Sequence, residues 1–267
     1  MQCADRALRA LWTPVNALMM YARVALLAAP ARKLVFVHGL GISGRYMTPT
    51  LLRLAGEFSV MAPDLPGFGR SAKPAGVLDI PQMADALAGW MRANAQWPAT
   101  LVGNSVGCQV AVDLACRFPD YVDRLVLAAP TIDPSAPSAL RQIGRVIVDA
   151  PREAWSLDFL AIHDYLQAGI FRAIGTARRA VADPIREKLP RVHVPTLVVC
   201  GTRDPIVPLH WAREVARLLP LGRLAVIQGA PHAVNYTTPD QFCALIREFL
   251  GQDDTWVKKL QATPGFP

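Results

Sequence analysis

No two cysteines of this chain form a C-x-x-C pair. Cys3, Cys108, Cys116, Cys200 and Cys243 lie scattered through the 267 residues. That spacing excludes a zinc ribbon and a disulfide-stapled scaffold, and it suits a reduced, cytoplasmic protein. Lysine is scarce, so the formal net charge of +7 rests on arginine. No basic run is interleaved with aromatics, so nucleic-acid binding is not expected. Only the segment 1–33 is clearly basic, with Arg6, Arg9, Arg23, Arg32 and Lys33 against Asp5; the segment 131–190 is nearly balanced. A long unbroken apolar run is also missing. Leu11 to Ala29 is interrupted by Pro14, Asn16 and Arg23, which excludes stable membrane insertion of that stretch as a helix. A secretion signal is one reading of it; an edge strand is the other. Met20, Ala22, Val24 and Leu26 alternate with Met19, Tyr21, Arg23 and Ala25, the period of a strand. No internal repeat is present, which excludes a solenoid.

Hydrophobic residues make up 52% of the chain and mean hydropathy is +0.24. One sizeable core is therefore expected, in a single domain or a domain carrying one insertion. Leu34-Val35-Phe36-Val37, Phe58 to Ala62, Ala99 to Val102 and Arg124 to Ala129 are apolar runs suited to strands buried on both faces. Helical spacing falls between them, over Tyr46 to Glu57, Ile80 to Asn94 and from Cys108 onward. Strand and helix alternating at this rhythm predict an α/β fold with a mostly parallel sheet and helices on both faces. The rhythm stops at Pro130. Residues 131–190 offer only helical pieces, Ala139 to Val148 and Leu157 to Ile174, and read as a helical cap. Strand, helix, strand and helix resume over Thr196 to Cys200, Leu209 to Leu219, Leu224 to Ile227 and Pro239 to Leu250. The core is thus 1–130 with 191–267, although nothing can be read in the stretch from Gln252 onward.

Chemistry concentrates where strands end. Gly103-Asn104-Ser105-Val106-Gly107 fits G-x-S-x-G, a serine on a sharp strand-to-helix turn whose flanking glycines remove Cβ atoms from a crowded bend. A serine nucleophile needs a base, a carboxylate to orient it, and oxyanion donors. Asp204 follows the strand ending at Cys200 and His232 follows the strand ending at Ile227, in the order serine, acid, histidine. Asp133 is the second-choice acid. The oxyanion donors expected are the backbone N–H groups of Val106 and of Leu40 in the His38-Gly39-Leu40-Gly41 loop. His38 itself is expected to brace that loop. A base of ordinary histidine pKa predicts that kcat/KM falls on acidification through roughly pH 6–7.

The HGLG loop, the DLPGFGRS loop, the GNSVG elbow, GTRDPIVP and His232 together resemble the α/β-hydrolase superfamily with an inserted cap. The resemblance runs from about Leu18 to Leu250. It implies a triad of Ser105, Asp204 and His232, an oxyanion hole at Leu40 and Val106, and no cofactor or metal. The implied activity is a serine carboxylesterase acting through an acyl-enzyme on small to medium, largely apolar esters. GNSVG is also similar to the elbow of meta-cleavage C–C bond hydrolases, the alternative within the superfamily. That branch carries a tryptophan after the histidine, where this chain has Ala233, and it needs a cationic clamp. Arg141, Arg145, Arg152, Arg172, Arg178 and Arg179 of the cap could supply one. A non-catalytic hydrolase-fold binding protein is a further alternative, although no triad member is missing. Gly39-Leu40-Gly41-Ile42-Ser43-Gly44 with Asp64 also matches a dinucleotide fingerprint, G-x-G-x-x-G, but that reading leaves Ser105, Asp204 and His232 without a role. Oligomeric state is not legible.

Overall fold

The structure, a computed structural model, describes residues 8–28, 31–133 and 139–251, and for 139–143 the backbone alone. Arg6, the side chain of Arg141 and the stretch from Gln252 lie outside the described residues. The apolar runs form β1 (Arg9–Val15), β2 (Leu18–Ala25), β3 (Lys33–Val37), β4 (Ser59–Pro63), β5 (Ala99–Asn104), β6 (Val122–Ala128), β7 (Thr196–Gly201) and β8 (Gly222–Ile227). They make one sheet in the order β1-β2-β4-β3-β5-β6-β7-β8. β2 is antiparallel to both its neighbours, and the strands from β4 across to β8 pair in parallel. The interrupted stretch near the amino end is therefore an edge hairpin, turning at Asn16, which takes a positive φ of 52°. Met20 and Ala22 point into the core while Trp12 and Met19 stay in water, as the alternation predicts.

Central strand β5 is buried along its whole length, which is why its sequence is continuous rather than alternating. Helices cover both faces of the sheet. α1 (Thr48–Leu54) packs on one face with α10 (Pro239–Gly251), burying Leu51, Leu54, Phe242 and Ile246. α2 (Ile80–Ala93), α3 (Val106–Arg117) and α8 (Leu209–Leu218) cover the other with Trp90, Val110 and Trp211. Local chemistry sets the helix ends. The Asp79 carboxylate accepts the Gln82 N–H and the Gln82 side chain accepts the Asp79 N–H, a reciprocal cap that starts α2.

Between β6 and β7 the chain makes α4 (Ala139–Asp149), α5 (Trp155–Ala168), α6 (Ile170–Ala182) and the short α7 (Ile185–Lys188). The single helix expected over Leu157 to Ile174 is two. Gly169 takes φ 88°, and its N–H closes on Tyr165 O at 3.0 Å, so α5 stops there and α6 starts afresh. The helix expected over Tyr46 to Glu57 is also shorter, opening as a 3-10 turn over Gly44–Met47 and ending at Leu54. α9 (Val234–Thr237) is a single turn after β8. Among the described residues no helix is long and apolar enough to cross a membrane.

Candidate active site

β5 delivers Ser105 into a bend and α3 begins at the next residue. Ser105 holds φ 56° and ψ −125°, a conformation outside the ordinary regions for a side-chain-bearing residue that costs on the order of 1–3 kcal/mol. The glycines on either side make the bend sterically feasible. A Cβ on Gly103 would stand 2.7 Å from Gly107 O, and one on Gly107 would stand 2.1 Å from Val37 O. Gly107 thus lets the start of α3 press against the end of β3, bringing the HGLG loop beside the serine.

The loops after β7 and β8 bring the other two residues. His232 Nδ1 lies 2.9 Å from Asp204 Oδ2. Asp204 Oδ1 accepts the Ile206 and Val207 N–H groups at 2.7 and 2.9 Å, which fixes the carboxylate. With Nδ1–H directed at Asp204, Nε2 of the neutral ring keeps its lone pair free to accept a proton. His232 is buried and its pKa is raised to about 9: burial acts to lower it, and the charge and hydrogen bond of Asp204, joined by the charges of Asp149 and Glu153, outweigh that. Asp133 is paired with other groups: its Oδ2 is 3.0 Å from Arg145 Nη1, and its Oδ1 is 3.9 Å from His210 Nε2.

Ser105 and His232 line one cavity of about 170 Å3, together with Leu40, Val106, Tyr46, Ile132, Leu157, Tyr165 and Ile206. Neighbouring backbone N–H groups are engaged: that of Gly39 with Tyr46 Oη at 3.0 Å, that of Ser105 with Ala128 O at 3.0 Å, and that of Cys108 with Ser105 O at 2.9 Å. Leu40, in the loop after β3, and Val106, the first residue of α3 at the positive end of its dipole, line the same cavity as Ser105.

Asn104, the elbow residue before the serine, is a part of the site that motif reading passes over. Its Oδ1 accepts the Tyr46 hydroxyl at 2.7 Å, and its Nδ2 donates to Ala128 O at 3.2 Å and His232 O at 3.3 Å. One buried amide thereby ties the HGLG loop, the elbow and the histidine loop together. Glu153 was equally unmarked. Its Oε1 accepts the Ala233 N–H at 2.6 Å and its Oε2 accepts the Thr237 hydroxyl, so the insertion grips the turn that carries His232.

The remaining residues singled out in the sequence brace the scaffold. His38 is buried, and burial lowers its pKa, so the ring is neutral. Its Nε2 accepts the Leu65 N–H at 2.9 Å, which leaves Nδ1–H to donate to Gly39 O at 2.9 Å. Asp64 accepts the N–H groups of Gly44 and Arg70 and the Arg23 guanidinium at 2.8, 2.9 and 3.0 Å. That carboxylate therefore welds the two glycine loops together rather than facing a ribose. Among the described residues no cap arginine lines the cavity as a clamp. Arg145 is held by Asp133 and Ile206 O, Arg152 by Val148 O, and Arg172 by Gly76 O and Pro74 O. Among the described residues lining the cavity there is no arginine or lysine, and none of them groups three or more His, Cys, Asp or Glu side chains to hold a metal.

Comparisons with known proteins agree with the fold. A putative carbamate hydrolase of Yersinia enterocolitica is 30% identical over 260 residues, covering 88% of this chain and 93% of that protein. A pimeloyl-[acyl-carrier protein] methyl ester esterase of Neisseria meningitidis is 31% identical over 247 residues, covering 82% and 77%. Among solved structures, an enol-lactonase from Burkholderia xenovorans LB400 superposes with a TM-score of 0.79 at 23% identity, covering 91% of this chain and 100% of that one. A thermophilic esterase from Thermogutta terrifontis gives 0.77 at 24%, covering 94% and 99%. The sequence model of the alpha/beta hydrolase family matches residues 34–245, from β3 into the last helix, and the chain belongs to that family.

Proposed function

We propose that the chain is a serine carboxylesterase that hydrolyses small to medium, largely apolar esters, with residues 131–190 acting as a cap over the site. The observation that carries this reading is the strained Ser105 sharing a cavity with His232, whose Nδ1 is 2.9 Å from Asp204. Ser105 Oγ attacks the acyl carbon while His232 Nε2 takes its proton. The N–H groups of Leu40 and Val106 receive the developing oxyanion. The imidazolium then protonates the leaving alcohol, giving the acyl-enzyme. Water attacks that ester, His232 again takes a proton and returns it to Ser105, and the acid leaves. Asp204 keeps the ring in the useful tautomer and stabilises its charged form.

The relatives that are esterases by name support ester hydrolysis as the chemistry. A C–C hydrolase is not favoured, because a clamp for a carboxylate-bearing substrate would need a fixed cation besides the proposed base His232, and the described lining holds no arginine or lysine. The test is turnover of p-nitrophenyl butyrate by the wild-type enzyme and by Ser105→Ala, beside a ring-fission dienoate. Ester turnover lost in the variant supports the reading. A dienoate preferred by more than about a hundredfold, some 2.7 kcal/mol of transition-state preference, overturns it.

A further inference from the structure

The cavity is acidic in a basic protein. Its described lining contains Asp149, Glu153 and Asp158 and, opposite them in charge, only His232. Two of its polar atoms are also unspent. Asp149, at the end of α4, is 5% exposed, and its Oδ1 has no hydrogen-bond partner; Thr131 is 4% exposed, and its Oγ1 likewise has none. Both residues line the space that Ser105 opens into. Glu153 differs, because both of its oxygens are engaged by the His232 turn. A buried polar atom without a partner costs about 1–3 kcal/mol, so two of them on residues that line one cavity mark where a ligand group, reached by a small side-chain rotation, completes the hydrogen bonding.

We propose that Asp149, assisted by Thr131, is a substrate-recognition subsite that selects esters bearing a hydrogen-bond-donating group, an ammonium above all, and rejects esters bearing a carboxylate. This rests on the esterase reading and adds the substrate class to it. Both unspent atoms can accept a hydrogen bond, the Asp149 oxygen most strongly when ionised. An ammonium placed there would be compensated by Asp149. A carboxylate would meet Asp149, Glu153 and Asp158 with only His232 of the described lining to offset them. The groups acting on Asp149 come from three elements: Glu153 from the insertion, Asp204 from the loop after β7, and His232 from the loop after β8. Burial pushes the Asp149 carboxyl up to about 7, the His232 charge opposes that, and the charges of Glu153 and Asp204 and a side-chain hydrogen bond with Glu153 add to it, so only Oδ1 of Asp149 is unspent. Selectivity for an ammonium therefore grows as the pH rises through neutrality and Asp149 loses its proton.

Phenylboronic acids, which add reversibly to a serine nucleophile, test this without a labile substrate. The measurement is the competitive Ki against p-nitrophenyl butyrate for three meta-substituted compounds, carrying methyl, aminomethyl and carboxyl groups, at pH 6 and pH 8. At pH 8 the aminomethyl compound is expected to bind about tenfold or more tighter than the carboxyl compound, the scale of one charged hydrogen bond, with a smaller gap at pH 6. Asp149→Asn and Asp149→Ser should each bring that ratio below about threefold and remove its pH dependence, and Thr131→Val should reduce it in part. If butyrate is hydrolysed but the compounds bind alike, or not at all, or with a ratio that Asp149→Asn and Asp149→Ser leave unchanged, the subsite is wrong and the esterase stands. If butyrate is not hydrolysed, the esterase reading fails and the subsite fails with it.

Discussion

Asn104 Nδ2 donates to the backbone carbonyl of His232 at 3.3 Å, so the residue before the proposed nucleophile holds the loop of the proposed base. The same side chain accepts the Tyr46 hydroxyl, which in turn accepts the Gly39 N–H. Three loops from three strands are thus registered by one buried amide, which is 2% exposed. In Asn104→Ala the Tyr46 hydroxyl and the His232 carbonyl lose this partner, and stability should fall by about 1–3 kcal/mol. Displacement of the histidine should lower kcat by about 10- to 100-fold with little change in KM. Steady-state kinetics on the folded variant decide it: a raised KM with unchanged kcat would mean that Asn104 serves binding and not alignment.

Asp204 and Asp133 are separable by mutation. Asp204→Asn removes the carboxylate from His232 Nδ1 and should cost about 10³- to 10⁴-fold in kcat by upsetting the tautomer. Asp133, paired with Arg145, should cost less than about tenfold as Asp133→Asn. Esterase assays of both variants check the order, and the reverse order would move the acid to the loop after β6.

The elbow predicts a steric effect. Gly107→Ala would place a methyl 2.1 Å from Val37 O, against backbone that cannot swing aside, and should destabilise by about 1–3 kcal/mol or more. Thermal unfolding measures it; an unchanged Tm would mean that α3 and β3 are not packed as described.

The pH profile separates an ordinary histidine from this one. His232 must be neutral to act as base, and its folded-state pKa of about 9 lies above the 6.5 of the free side chain. The fall of kcat/KM on acidification should therefore be centred above pH 7, towards 9, and not at the roughly 6–7 expected from sequence. Asp149→Asn removes one of the charges that raise it, so the midpoint should move down. The sign for stability runs the same way. The contribution of His232 is complete below about 6.5 and is lost as the pH rises through about 9. A rate profile centred at or below pH 6.5 in the wild-type enzyme would contradict this electrostatic account.

How legible all this was depends on the range of the forces involved. The sheet was readable because a strand buried on both faces must be continuously apolar, as Leu34 to Val37 and Ala99 to Val102 are. The elbow was readable because close backbone approach at Gly103 and Gly107 admits only glycine, and Asp204 and His232 because each follows directly from a strand end. The break of α5 at Gly169 was missed because apolar spacing runs on across it, whereas positive φ is decided by how two helices fold back. Asn104 and Glu153 carry no signal as site residues, since their partners Tyr46, His232, Ala233 and Thr237 lie far away in the chain and no local spacing announces them. For the cap arginines the reverse held. Their number suggests a clamp, but the distant carbonyl and carboxylate groups that engage Arg145 and Arg172 are visible only in three dimensions.

The central claim is that Ser105 is the nucleophile, and active-site labelling tests it most directly. Treating the purified protein with a fluorophosphonate probe and mapping the modified peptide by mass spectrometry should place the adduct on Ser105 alone. Ser105→Ala should not label, and it should keep its fold while losing about 10⁴-fold or more in kcat. An adduct on another residue, or full activity in Ser105→Ala, would contradict the account.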